Sequence, residues 1–243
     1  MEYCIHVTDG AQERSSDSAV ETRRLFGATH GCPEFEQRTL RFDGSSDYRS
    51  DEQRDEVLYV LSGSGAATIG RERHNLAVGT AAYVAKGTDW RVDEADELVL
   101  LSVLVEEPLP PKGTTHAVIE LAAEQTQGAT SGRQFRLLAS PEIGCASVTQ
   151  FVGYIPVGRA PDHFHKYDEV VYVLEGEGAL HIDGESAPLR PGSSVHLPAR
   201  LVHCLENAGP GEMQVLGVFR PAGSPAEAYD PDGAPAGVPQ EDS

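Results

Sequence analysis

Positive charge is scarce in this chain. Nineteen lysines and arginines stand against 38 aspartates and glutamates, for a formal net charge of −19. Such a surface repels phosphate backbones and anionic headgroups, so neither nucleic acid nor membrane is expected as a partner. No stretch approaches the roughly eighteen consecutive apolar residues of a membrane span. The start, Met1-Glu2-Tyr3-Cys4-Ile5-His6, has neither a basic beginning nor an apolar core. A secretory signal is therefore not expected, and the cytoplasm is the expected compartment. The four cysteines, Cys4, Cys32, Cys145 and Cys204, form no C-x-x-C pair, which argues against a structural zinc knuckle. In the cytoplasm they are expected as thiols. Helical periodicity is also rare: Asp17–Arg24 and Val118–Glu124 are the best stretches for it, and no helix-turn-helix segment is visible.

What the chain has instead is short runs of Val, Ile, Leu, Tyr and Thr separated by Gly, Pro, Asp and Asn. This texture predicts many short strands in an antiparallel sandwich or barrel. Asp183-Gly184, between two such runs, is a hairpin signal. The pattern occurs twice. Asp55-Glu56-Val57-Leu58-Tyr59-Val60-Leu61 matches Asp168-Glu169-Val170-Val171-Tyr172-Val173-Leu174 at an offset of 113 residues. The same offset carries Gly31-Cys32 onto Gly144-Cys145, Gln37 onto Gln150 and Gly79 onto Gly192 without a gap. An internal duplication is the economical reading. Pro108, Pro110, Pro111 and Gly113 break helix and sheet between the copies. We expect an N-terminal domain over 1–107, a C-terminal domain over 114–220, and a Pro/Gly/Asp-rich tail over 221–243. In the tail, mostly loosely docked, Ala226–Tyr229 is the segment that would pack against the body.

The second copy carries Pro161-Asp162-His163-Phe164-His165-Lys166-Tyr167-Asp168-Glu169, and His203 follows. Alternate residues of an extended chain share a face, so His163, His165 and Glu169 point the same way if the strand resumes after His165. Three imidazoles and a carboxylate form a donor set for one divalent transition metal, Mn, Fe, Co, Ni or Zn. Four protein ligands leave coordination positions open for chemistry. Gln150 and Tyr154 share a strand face and are candidates for the pocket wall, with His181 and His196 as further polar candidates. His6, His30, His74 and His116 have no ligand-like context and are expected at the surface. Cys204 is turned away from its neighbour His203 by strand alternation and is expected in the core.

These strings resemble the cupin superfamily. One cupin motif reads Gly158, His163, His165, Glu169 and Gly176, with the first gap one residue shorter than usual. The other reads Gly192, Pro198, Arg200 in the usual glycine slot, His203 and Asn207. With the repeat, the whole resembles a bicupin. The resemblance implies an all-β fold of two tandem double-stranded β-helix (jelly-roll) cupin barrels. Arg200 is expected to alter the turn before His203 or to put a cation near the pocket mouth. In the first copy the offset turns His163 into Ser50, His165 into Glu52 and His203 into Trp90, while Glu169 keeps its mate Glu56. That copy is expected to scaffold rather than to hold a catalytic metal. The rival reading is a vestigial pocket lined by Ser50, Glu52, Glu56 and Trp90.

Fold and ligand set do not fix a reaction. The resemblance implies first a small-molecule dioxygenase of the quercetinase type, with Glu169 as ligand and proton acceptor. The alternatives are a non-oxidative isomerase, cyclase, decarboxylase or hydrolase, and a ligand-binding cupin without turnover. A homodimer is a further expectation, since pairing would protect exposed strand edges.

Overall fold

The computed structural model describes residues 3–9, 11–14, 20–46 and 51–236. Among them the chain is nearly all β. The first eight strands are β1 (Cys4–His6), β2 (Ala11–Arg14), β3 (Val20–Phe26), β4 (Phe35–Phe42), β5 (Asp55–Ile69), β6 (Glu72–Ala77), β7 (Thr80–Val84) and β8 (Trp90–Val105). The next five are β9 (His116–Glu120), β10 (Gln127–Gly128), β11 (Gln134–Ala139), β12 (Thr149–Ile155) and β13 (Asp168–Glu175). The last five are β14 (Gly178–Ile182), β15 (Glu185–Leu189), β16 (Ser193–Leu197), β17 (Cys204–Asn207) and β18 (Met213–Arg220). Both stretches with helical periodicity come out otherwise. Val20–Arg24 lies in β3, paired to β2 and β4, while Asp17–Ala19 fall outside the described residues. Val118–Glu120 ends β9, and Leu121–Ala123 make a single 3-10 turn. Tertiary pairing overrides weak local periodicity here.

All the strand pairs are antiparallel. One sheet runs β2-β3-β4-β8-β5-β7-β9, with β6 paired to β5. A second runs β1-β16-β13-β18-β12-β11-β10, and a third, β15-β14-β17, covers it. The first strand of each copy is exchanged. Ile5 of β1 pairs with Ser194 of β16, and Val118 of β9 pairs with Ala82 of β7.

The matched runs Val57–Leu61 and Val170–Leu174 are apolar at every position because both faces of these strands are buried. Leu58 and Val60 point into the first barrel with Leu40, Phe42, Trp90 and Leu100. Val171 and Val173 point into the second with Leu180, Val195, Leu197 and Val215. The alternate residues, Val57, Tyr59, Val170 and Tyr172, meet Phe26, Tyr83, Val103, Val152 and Val218 in one core between the copies. Each fully buried side chain of this kind contributes about 1.5–3 kcal/mol.

Polar groups cross the same junction in mirrored pairs. The His196 Nε2–Asp168 Oδ1 contact is 2.8 Å, and Cys32 of the first copy lies beside both. Their repeat mates are Tyr83, Asp55 and Cys145. There the Tyr83 hydroxyl donates to Asp55 at 3.5 Å, and burial pushes each of the two thiols up to about 12. The glutamines are mirrored less completely. Gln37 accepts a hydrogen bond from Ser194 of the other copy. The repeat mate of Ser194 is Ala81, which has no hydroxyl, and both polar atoms of Gln150 are buried without a partner. Gln150→Met keeps the shape and removes the orphaned amide. It is expected to raise unfolding stability by about 1 kcal/mol, read from the urea midpoint at constant m; a lower midpoint would contradict this account.

Candidate metal centre

His163 and His203 are tied together by backbone. His163 N–H donates to the His203 carbonyl at 3.0 Å, and His203 N–H returns a bond to the His163 carbonyl at 2.8 Å. This isolated bridge, rather than a regular strand, sets the two rings 4.8 Å apart between centroids. The Arg200 N–H donates to the His165 carbonyl at 2.8 Å and anchors the neighbouring loop. The turn expected to change at Arg200 is kept: its φ is +68°, and Gly87, its mate in the first copy, has a φ of +74°. The arginine accepts a left-handed conformation that costs a non-glycine residue about 1–2 kcal/mol. Its side chain is exposed. Strand structure resumes at Asp168, and Glu169 takes the inward register opposite Leu197.

One ring nitrogen from each of His163, His165 and His203 lies within 4.8 Å of the others. Each ring has a backbone carbonyl on its Nδ1 side. His163 Nδ1 is 3.1 Å from the Pro161 oxygen, His165 Nδ1 is 2.8 Å from the Glu227 oxygen, and His203 Nδ1 is 2.9 Å from the Leu201 oxygen. A carbonyl accepts only, so each Nδ1 carries the proton and each Nε2 keeps its lone pair. Such outer partners fix tautomer and ring orientation at metal sites. Burial holds all three rings neutral. It lowers His163 to about 4, helped by the Arg133 and His165 charges, and it lowers His165 and His203 as well.

Glu169 lines the same cavity and is 6% exposed, but its carboxylate lies outside the 4.8 Å set. Burial pushes its carboxyl up to about 8, against the opposing pull of Arg133. A buried carboxyl of this kind ionises readily only beside a cation. Three oriented lone pairs and this carboxyl fit a divalent ion.

The cavity over the histidines is walled by Phe135, Phe151, Phe219, Ile155, Leu205 and Val215. Gly217 gives Phe151 its room, since a Cβ there would lie 2.3 Å from the ring's Cζ. Of the four pocket candidates, only Tyr154 borders this cavity, and its ring lies beneath Arg136, 5.7 Å from the guanidinium carbon. Gln150 and His196 face the junction instead. His181 lies on β14, with Nε2 2.6 Å from Glu206. The inward residues of β12 are Phe151, Gly153 and Ile155, so the face expected to line the pocket, that of Gln150 and Tyr154, turns mainly to the junction. Cys204 is buried and points its thiol to the Ala160 carbonyl at 3.1 Å, away from the histidine set, as alternation predicts. His74 and His116, expected as unrelated surface residues, come together with Glu72 on the first copy.

Sequence reasoning missed Arg133, whereas the expected packing of Ala226–Tyr229 against the body is found. Residues 221–236 dock over the mouth. Phe164 and Tyr229 exchange backbone bonds at 2.8 and 3.0 Å and stack their rings at 5.5 Å. Tyr167 donates to the Glu227 carboxylate, Lys166 sits 3.8 Å over the Tyr229 ring, and Pro225 reaches the cavity wall. Ala228, 4% exposed, is buried within this docked segment.

The first barrel is closed where the second is open. Glu56 accepts from Trp90 Nε1 at 2.9 Å, from Arg38 Nη2 at 3.2 Å and from the Ser102 hydroxyl. Trp90 packs edge-on against Phe42. Of the rival pocket's residues, Glu56 and Trp90 meet, Glu52 is exposed, and Ser50 lies outside the described residues.

Comparison with known proteins bears on the fold. Residues 150–219 match the family model described as Cupin domain. A protein called polyketide synthase CurC from Streptomyces cyaneus is 32% identical over 89 residues, which cover 35% of this chain and 57% of that protein. Quercetin 2,3-dioxygenase from Bacillus subtilis is 44% identical over 46 residues, covering 18% of this chain and 14% of that one. Among solved structures, the Bacillus subtilis oxalate decarboxylase studied for its Mn(II) centres aligns with a TM-score of 0.70 at 14% identity. That alignment covers 90% of this chain and 77% of that chain. Residues 150–219 thus match a Cupin domain, and they sit within an all-β chain that has the cupin jelly-roll fold.

Proposed function

We propose that this protein is a metal-dependent enzyme acting on a small molecule in its second barrel, and that its reaction is a dioxygenation of the quercetinase kind. The observation that carries this reading is the convergence of three carbonyl-oriented imidazoles at the base of an aromatic-walled cavity. Glu169 is the fourth ligand in this reading. The donor set suits one ion of Mn, Fe, Co, Ni or Zn. When bound, the ion supplies Lewis acidity toward the oxygen of an enolisable substrate and electronic coupling to O₂. The chain's own residues do the rest. Phe135, Phe151 and Phe219 exclude water and hold a flat apolar body. The Glu169 carboxylate takes up the substrate's hydroxyl proton, and the docked tail narrows the mouth. The short match to a quercetin dioxygenase supports the reaction type, and the Mn(II) centres named for the oxalate decarboxylase support the metal.

Elemental analysis is expected to give one divalent ion per chain. His163→Ala and His203→Ala should lose it, whereas Trp90→Phe should not. Equal loss from the Trp90 variant would refute a single site in the second barrel. With quercetin as the probe, the loaded protein is expected to consume O₂ as the flavonol absorbance falls. Turnover at the same rate under argon would move the site to non-oxidative chemistry.

Metal uptake should depend on pH through Glu169. Near neutral pH the imidazoles are already uncharged, while the carboxyl, raised to about 8, still holds its proton. Binding must displace that proton. Affinity is therefore expected to rise about tenfold per pH unit up to about pH 8 and to level off above it. Calorimetry at pH 7 in buffers of different ionisation enthalpy should read about one proton released. A flat profile from pH 6 to 8 would exclude Glu169 as a ligand.

Ending the chain after Arg220 removes the Glu227 carbonyl that orients His165. Metal affinity is expected to fall about 10–100-fold with the sheet signature in circular dichroism retained. Undiminished affinity in the shortened protein would show that the tail does not orient this ligand.

A further inference from the structure

Arg133 is the one cationic side chain in the wall of the histidine cavity among the described residues. Its Nη2 donates to the Leu205 carbonyl at 2.9 Å, which fixes the guanidinium. Its Nη1 donates to His163 Nε2 at 3.3 Å, the lone pair that a metal ion would use. Its Nε is buried with no partner. The neighbouring cations are engaged elsewhere: Arg159 pairs with Asp162 at 3.0 Å, and Lys166 lies over Tyr229.

We infer that Arg133 is an anion anchor, and that the cavity takes small carboxylates whose oxygens replace His163 as the acceptor for its guanidinium. This rests on the metal reading above and not on a flavonol as the substrate. An ion on the three imidazoles consumes the acceptor of Nη1, so Nη1 joins Nε without a partner. Unsatisfied donors of a charged group are costly to bury. Charge points the same way. A divalent ion and Arg133, against Glu169 alone, leave the cavity with two net positive charges, because the three imidazoles are neutral. Uncompensated charge in an apolar enclosure is unfavourable, and an incoming carboxylate relieves it. The three phenylalanines suit an apolar body behind that carboxylate.

The repeat supplies an internal control. At the offset of 113 residues, Arg133 corresponds to Val20, a core residue of the closed first barrel. Its cation stands only in the copy that carries the three histidines, whereas the glutamate stands in both. A purely structural link to the β17 backbone would have no reason to follow the ligand set.

The test uses the full chain loaded with Mn(II), with metal content measured before any ligand is added. Benzoate and its neutral isostere benzamide are titrated by calorimetry. Wild type is expected to prefer benzoate by at least about tenfold, and benzoate should tighten Mn(II) binding by the factor by which Mn(II) tightens benzoate, as linkage requires. Arg133→Gln should keep the metal and lose both the preference and the linkage, while Arg133→Lys retains part of each. Retained preference in Arg133→Gln, or a loaded wild type that does not favour benzoate, would overturn the proposal. A wild type that takes up none of Mn(II), Fe(II), Co(II), Ni(II) and Zn(II) fails at the first measurement and refutes the metal reading itself.

Discussion

The structure depends on strands that are buried on both faces. The central pair in each copy, β5 with β8 and β13 with β18, lines a barrel on one side and the junction on the other. Val57–Val60 and Val170–Val173 are buried on both faces, with Leu61 and Leu174 partly buried at their ends, so register and tilt are tightly specified. Glu169 sits at the first inward position of such a strand, with Asp168 beside it turned to the junction. The carboxyl is therefore held inside the barrel by the same alternation that packs Val171 and Val173.

From one shared frame the two copies reach opposite ends. In the first, the inward glutamate is satisfied by an indole, a guanidinium and a hydroxyl, and the barrel fills with Leu40, Phe42 and Trp90. In the second, the same glutamate has imidazoles nearby and keeps a raised affinity for its proton. A few substitutions at inward positions decide between a sealed core and a chemical site, while the sheet is left alone. That separation of frame from content is how one architecture hosts many activities.

The cluster of His163, His165 and His203 was legible because motif spacing along the chain sets which of their side chains can meet. The repeat and the strand content were legible too, since two-face burial leaves uninterrupted apolar runs. The pocket wall was not. Gln150 and Phe151 are adjacent, and only the pairing of β12 with β18 decides which of them faces inward. His181 and His196 are polar residues on strands, and their acidic partners Glu206 and Asp168 come from other strands. Arg133 stands thirty residues before His163 and outside both motif strings, so its approach exists only in three dimensions. The tail's composition reads as loose chain, yet Tyr229 finds a stacking partner and a backbone bridge on Phe164.

The reciprocal placement of β1 and β9 makes each copy dependent on the other for the edge of its own sheet. Peeling the copies apart would strip a strand from each barrel and expose hydrogen-bonding edges on both at once. The halves are therefore interwoven rather than docked, and loss of either should carry the other with it. Thermal melting of such a molecule is expected to be a single cooperative event, in which the closed barrel lends its rigidity to the open one.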